Sequence, residues 1–107
     1  IISIHTTLDA YTQRMINAEA LDNMRKHTYL INVARGGIVD QEALKNALLN
    51  KRIAGAAVDV FDVEPSDDEE FLKLPNLYCT PHTGGSSEES MLAMGRSAIG
   101  HLVNYFS

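Results

Sequence analysis

An α/β fold built on a parallel sheet is what this 107-residue sequence predicts, with a long helix at its end. Three observations predict it. Short apolar runs rich in β-branched residues alternate with segments whose apolar residues recur at helical spacing. Most links between them are short, as links between strands and crossover helices are. Finally, Arg35, Asp59 and His82 each stand at the end of such a run. In open parallel sheets, ligands bind beyond the carboxyl ends of the strands.

In chain order, residues 1–5 are short and β-rich, which fits a strand buried on both faces. Residues 6–14 are polar without a period and read as a loop. Asn17 fits an N-cap, with Glu19 in the first turn and Leu21 and Met24 as the apolar face of a short helix. Residues 29–33 form the second strand. Gly36 and Gly37 then let the backbone turn and approach something else closely. Asp40 caps the next helix, whose stripe is Ala43, Leu44, Ala47 and Leu48. Lys51 and Arg52 sit near its negative end.

The third strand, residues 55–60, contains Asp59, which is out of character for a buried strand. Residues 61–75 are a long excursion holding the acidic run Asp67-Asp68-Glu69-Glu70. A divalent metal site is one reading of that run. The stronger reading is a capping box from Ser66 to Glu69, with acids complementing a helix dipole. Phe71, Leu72 and Leu74 pack this short helix and Pro75 ends it. The fourth strand, residues 77–80, stops at Pro81. Its Cys79 reads as a small buried hydrophobe rather than a nucleophile. Ser86 and Glu89 form a second capping box. A long helix comes last, with Leu92, Gly95, Ile99, Leu102 and Phe106 on one stripe.

Composition narrows the function. At 45% hydrophobic residues, the chain can bury one modest core. A formal charge of −5, and nine Lys and Arg that form no stripe, argue against a nucleic-acid surface. No apolar run is long enough to span a bilayer. Cys79 is the sole cysteine, so there is no disulfide framework and a reducing cytoplasm is expected. The sequence starts without Met inside an apolar run, so it is expected to be a piece of a longer protein.

The chemistry concentrates in INVARGG, residues 31–37. A guanidinium at a strand end presents a planar fork to a carboxylate or phosphate. His82 comes after the fourth strand and suits proton transfer near neutral pH. Glu64, just before Pro65, is the natural carboxylate to fix its tautomer. Strand ends of one sense share one edge, so these three groups can converge although distant in sequence.

The segments INVARGG, AAVDVFDVEP and TPHTGG, in this order and spacing, resemble the D-isomer-specific 2-hydroxyacid dehydrogenases. That family includes phosphoglycerate, glycerate/hydroxypyruvate and D-lactate dehydrogenases, and the likeness runs from SIHTTL to the final helix. It implies an oxidoreductase moving hydride between NAD(H) and a small D-2-hydroxy or 2-keto acid. It implies that Arg35 binds the substrate carboxylate, His82 transfers the proton and Glu64 supports His82. It implies NAD contacts at Thr6, at Val33, Ala34 and Arg35, at Asp59 toward the nicotinamide end, and at His82, Thr83, Gly84 and Gly85.

The resemblance also implies that residues 1–107 are the second half of a doubly wound, Rossmann-like NAD-binding domain. The glycine-rich loop, the ribose-reading acid and the substrate domain are then expected elsewhere in a longer, homodimeric enzyme. NADP therefore stays open beside NAD. Thr7 stands where the family usually has proline, so a looser loop is expected there. The alternative function is an NAD-sensing corepressor of the C-terminal-binding-protein type, which keeps the same Arg, Glu and His.

Overall fold

The computed structural model describes residues 1–84 and 87–106. Four strands, β1 (Ile2–Ile4), β2 (Tyr29–Asn32), β3 (Gly55–Val58) and β4 (Leu77–Cys79), form one sheet in that order. All pairings are parallel. The register aligns Ile4 with Asn32, Asn32 with Val58, and Val58 with Cys79. The four strands therefore end level, and the segment leaving each strand opens onto the same edge.

Helices α1 (Ala18–Asp22), α2 (Gln41–Leu49), α3 (Glu69–Leu72) and α4 (Glu88–Phe106) complete the fold. The Asn17 side chain caps α1 by accepting from the Ala20 amide at 2.9 Å. Asp40 does the same for α2 through Ala43 at 3.2 Å. Leu44, Ala47 and Leu48 of α2 are buried against Leu21, Leu30, Ile38 and Ile53 in the core.

Burial in the sheet is one-sided, which corrects the expectation for the first strand. Ile4, Leu30, Ala56 and Val58 lie in the core on one face, whereas Ser3, Tyr29 and Tyr78 on the other face are exposed. Strand side chains alternate between faces, and the described helices do not bury the second face. β1 is also an edge strand.

Two other expectations change. The cap of α3 is Asp68, not Ser66: its carboxylate accepts from the Phe71 amide at 3.1 Å, while the Ser66 hydroxyl accepts from the Asp68 amide at 3.4 Å. Lys45 explains the choice, lying 3.2 Å from Asp68 and 3.3 Å from Glu70. The acidic run thus faces a cation of α2. No metal-ligating cluster occurs among the described residues. At α4 the expected cap, Ser86, lies outside the described residues, and Ser87 accepts from the Ser90 amide at 3.1 Å. None of the described α4 residues is buried, so its apolar stripe of Leu92, Ile99, Leu102 and Phe106 is exposed. Among the described residues, no helix is long and apolar enough to cross a membrane.

One feature had no sequence signal. The chain before α1 runs beside the chain before α2, pairing Ile16 with Val39. Arg14 donates to the Gly37 carbonyl at 2.7 Å, Ile16 to Ile38 at 3.1 Å, and Asp40 back to Ile16 at 2.9 Å. This strap anchors the turn that comes after Arg35.

Candidate functional site

The site begins where β2 ends. Asn32 is almost fully buried (1% exposed), and its amide group folds back on its own chain. Its Nδ2 donates to the Arg35 carbonyl at 3.0 Å, and its Oδ1 accepts from the Ala34 amide at 3.1 Å. These bonds replace the strand ladder, so β2 stops at Asn32 rather than Val33. Arg35 leaves this turn extended and exposed, with Nη1 donating to the Ala34 carbonyl at 2.7 Å.

Gly36–Ile38 then form one 3₁₀ turn. No glycine here has positive φ, so Gly36 is not needed for its conformational freedom. It is needed for space: a Cβ there would lie 2.0 Å from the Phe61 carbonyl oxygen. The close approach expected from the sequence is therefore to the chain leaving β3, which brings the Arg35 turn against the residues carrying Glu64.

Asp59, just past β3, is 5% exposed. Its Oδ1 accepts from the Thr80 hydroxyl at 2.5 Å and the Thr83 amide at 2.7 Å, and its Oδ2 accepts from the Gly84 amide at 2.8 Å. Burial pushes this carboxyl up, but those hydrogen bonds outweigh it and hold it below the usual range. Asp59 thus ties down both flanks of His82. Between them His82 sits at φ 58°, a left-handed conformation that costs a non-glycine residue about 1–3 kcal/mol and needs such bracing.

His82 Nδ1 lies 2.6 Å from Glu64 Oε2. The other carboxylate oxygen, Oε1, accepts from the Phe61 amide at 3.1 Å. The bond from His82, then that from Phe61, holds the Glu64 carboxyl below its ordinary value, and the Arg35 charge adds to this. An ionised carboxylate only accepts, so Nδ1 is the protonated nitrogen and Nε2 is left to exchange a proton. Both side chains are partly exposed, at 43% and 37%, so solvent and substrate can reach them.

Two clefts open here. One, of about 540 Å³, is lined by Glu64 and His82 with Phe61, Leu72, Cys79 and Thr80. Burial pushes the Cys79 thiol up, as suits a packing residue and not a nucleophile. The other, of about 630 Å³, lies at the ends of β1 and β2, lined by His5, Thr6, Thr7, Val33, Ala34 and Arg35. The loop expected to be loose at Thr7 is closed. The Thr12 hydroxyl donates to the Thr7 carbonyl at 2.6 Å, and Asp9 Oδ1 accepts from the Tyr11 and Thr12 amides.

Arg35, Glu64 and His82 thus share one edge, and Thr6, Val33 and Ala34 line the cleft beside Arg35. Asp59 has its carboxylate occupied by the protein, as do the Thr83 and Gly84 amides. Gly85 lies outside the described residues. Asn32 is the residue that the sequence reading passed over. A lone amide between Ile31 and Val33, just before the Arg, is the signal that could have found it.

The D-isomer specific 2-hydroxyacid dehydrogenase NAD-binding domain family matches residues 1–84. D-3-phosphoglycerate dehydrogenase of Bacillus subtilis (strain 168) is 46% identical over 92 residues, 86% of this chain and 18% of that protein. The structure of an NADPH-dependent glyoxylate/hydroxypyruvate reductase from Sinorhizobium meliloti, in complex with NADP and malonate, aligns with TM-score 0.94 at 37% identity. That alignment covers 98% of this chain and 33% of that one. A D-isomer specific 2-hydroxyacid dehydrogenase from Lactobacillus delbrueckii ssp. bulgaricus, in its NAD-complexed form, aligns with TM-score 0.85 at 34% identity, over 95% of this chain and 36% of that one. The chain spans between about a fifth and a third of the length of these relatives.

Proposed function

Because this chain belongs to the D-isomer specific 2-hydroxyacid dehydrogenases and matches their NAD-binding domain, we propose that it supplies the acid–base half of an NAD-dependent 2-hydroxyacid dehydrogenase. Residues 1–107 are then part of the cofactor domain of a longer enzyme. The glycine-rich phosphate loop and the substrate domain are supplied by other parts of that enzyme. The observation that carries this reading is the 2.6 Å bond between His82 Nδ1 and Glu64, with the Arg35 charge acting on the same carboxylate.

The cofactor suits the residues present. A cleft of about 630 Å³ beside Arg35 falls within the range of small-molecule sites. Thr6 and the 33–35 turn would hold one end of the dinucleotide there. When bound, the nicotinamide ring delivers or accepts the hydride. Arg35 pairs with the carboxylate of the 2-keto acid and turns its carbonyl toward the edge. His82 Nε2 gives a proton to the oxygen as negative charge develops on it, and Glu64 stabilises the imidazolium needed for that step. In the oxidative direction the same nitrogen takes the hydroxyl proton.

The test is NADH oxidation by the full-length enzyme with glyoxylate, pyruvate and hydroxypyruvate. We expect turnover with at least one, and a loss of ~10²–10⁴ in kcat for His82→Ala with NADH affinity little changed. No turnover with any 2-keto acid, or full activity in His82→Ala, would refute the proposal.

A further inference from the structure

We propose that Asn32 is a positioning residue for the anion site, holding the Arg35 guanidinium in register through the closed 33–35 turn. The inference rests on Arg35 binding the substrate carboxylate. Asn32 ends a strand of otherwise apolar and aromatic residues and is 1% exposed. Burying an amide without partners is costly, and an apolar side chain would pack this position without that demand. Its two partners are not in the sheet or the helices. They are the Ala34 amide and the Arg35 carbonyl, the groups on either side of the peptide bond that leads into Arg35.

The same short segment also holds the side chain. The Ala34 carbonyl, in that same peptide unit, accepts from Arg35 Nη1 at 2.7 Å. Asn32 thus braces the two peptide units that flank this one, and the plane held between them fixes one edge of the guanidinium. Arg has five N–H donors, and this is the sole hydrogen bond of the Arg35 side chain among the described residues. The other donors remain for a ligand. The base of the turn is clamped independently, since Asn32 accepts from the Asp59 amide at 3.0 Å through its carbonyl and Gly36 lies against the Phe61 carbonyl. The Asn32 side chain therefore adds orientation to a turn whose path the backbone already sets. Ala34 and Arg35 are partly open to water, so their backbone groups can rehydrate when the amide is removed.

The test uses the full-length enzyme with the 2-keto acid, from glyoxylate, pyruvate and hydroxypyruvate, that it reduces best. Asn32→Ala should raise KM for the keto acid about tenfold, the factor carried by one hydrogen bond's worth of lost orientation. The NADH dissociation constant should hold. Asn32→Asp keeps the acceptor for Ala34 but loses the donor to Arg35, and should show the same split if Asn32→Ala folds poorly. The decisive measurement is the double variant. In an Arg35→Ala background, Asn32→Ala should add almost nothing to KM, because the group it orients is gone.

Each failure has its own signature. An unchanged KM in Arg35→Ala alone overturns the role given to Arg35, and this inference with it. A raised KM in Arg35→Ala with additive losses in the double variant overturns the inference while leaving Arg35 in place. So does an Asn32→Ala enzyme whose kcat and melting temperature fall together while the NADH dissociation constant rises with KM, since that is a structural residue.

Discussion

Arg35 and Asp59 lie just past neighbouring strands, end on the same edge and carry opposite full charges, yet the fold uses them differently. Asp59 is 5% exposed, and both its oxygens are occupied by Thr80, Thr83 and Gly84. Arg35 is exposed, and among the described residues its guanidinium makes one bond, to its own preceding carbonyl. A charge surrounded by donors from its own chain builds the site. A charge left facing solvent at a strand end is free to meet a ligand. Position at the edge does not separate the two; the partners do.

Substitutions can break this contrast. The largest stability effect is expected at Gly36, on the building side. An added Cβ would lie 2.0 Å from the Phe61 carbonyl oxygen, and backbone cannot yield as a side-chain tip does. Gly36→Ala should cost about 3 kcal/mol or more in denaturant melts, at the upper end of overpacking penalties. A melt within about 0.5 kcal/mol of wild type, the range of an uncrowded surface site, would show that the two turns are not truly in contact.

Asp59→Asn comes next, with an expected loss of roughly 1.5–3 kcal/mol as charged hydrogen bonds are removed. Its pH dependence carries a sign. The folded carboxyl is held below its unfolded value, so its contribution is fully present above ~3.9 and is lost as pH falls through the lower folded value. The gap between wild type and Asp59→Asn should therefore be wide at neutral pH and close in strong acid. A gap that widens on acidification would reverse the assignment.

Glu64 lies between the two classes, being bonded to Phe61 and His82 but partly exposed. Glu64→Gln should change stability little. It should lower kcat for keto-acid reduction about tenfold, the worth of one charge-assisted hydrogen bond, because His82 loses the carboxylate that holds its ring. An unchanged kcat would make Glu64 a loop anchor instead. The smallest stability effect is expected at Arg35. Arg35→Lys should melt within about 0.5 kcal/mol of wild type, as exposed substitutions do, while KM for the keto acid rises because Lys lacks the bidentate fork. A large melting loss would place Arg35 with Asp59.

Much of the fold was legible because local physics wrote it. Asn17 and Asp40 cap helices as their side chains require, and the stripe of Leu44, Ala47 and Leu48 is buried as its spacing requires. Alternating strands and helices implied a parallel sheet, and a parallel sheet implied that Arg35, Glu64 and His82 could meet. By itself, the sequence determined the element order, the helix caps and the residue types gathered at one edge. These follow from period, capping chemistry and chain connectivity.

Only the tertiary structure decided which of those residues are committed. Asp59 meets residues 21 to 25 positions away, and Gly36 meets Phe61 across a strand and a helix. Lys45, distant in sequence, favoured Asp68 over Ser66 as the cap of α3. One-sided burial of the sheet and the exposed stripe of α4 are also invisible locally. An apolar pattern says that a face can be buried and does not say what covers it. A hydrogen bond or a steric limit depends on where a distant carbonyl arrives, and only the folded chain sets that.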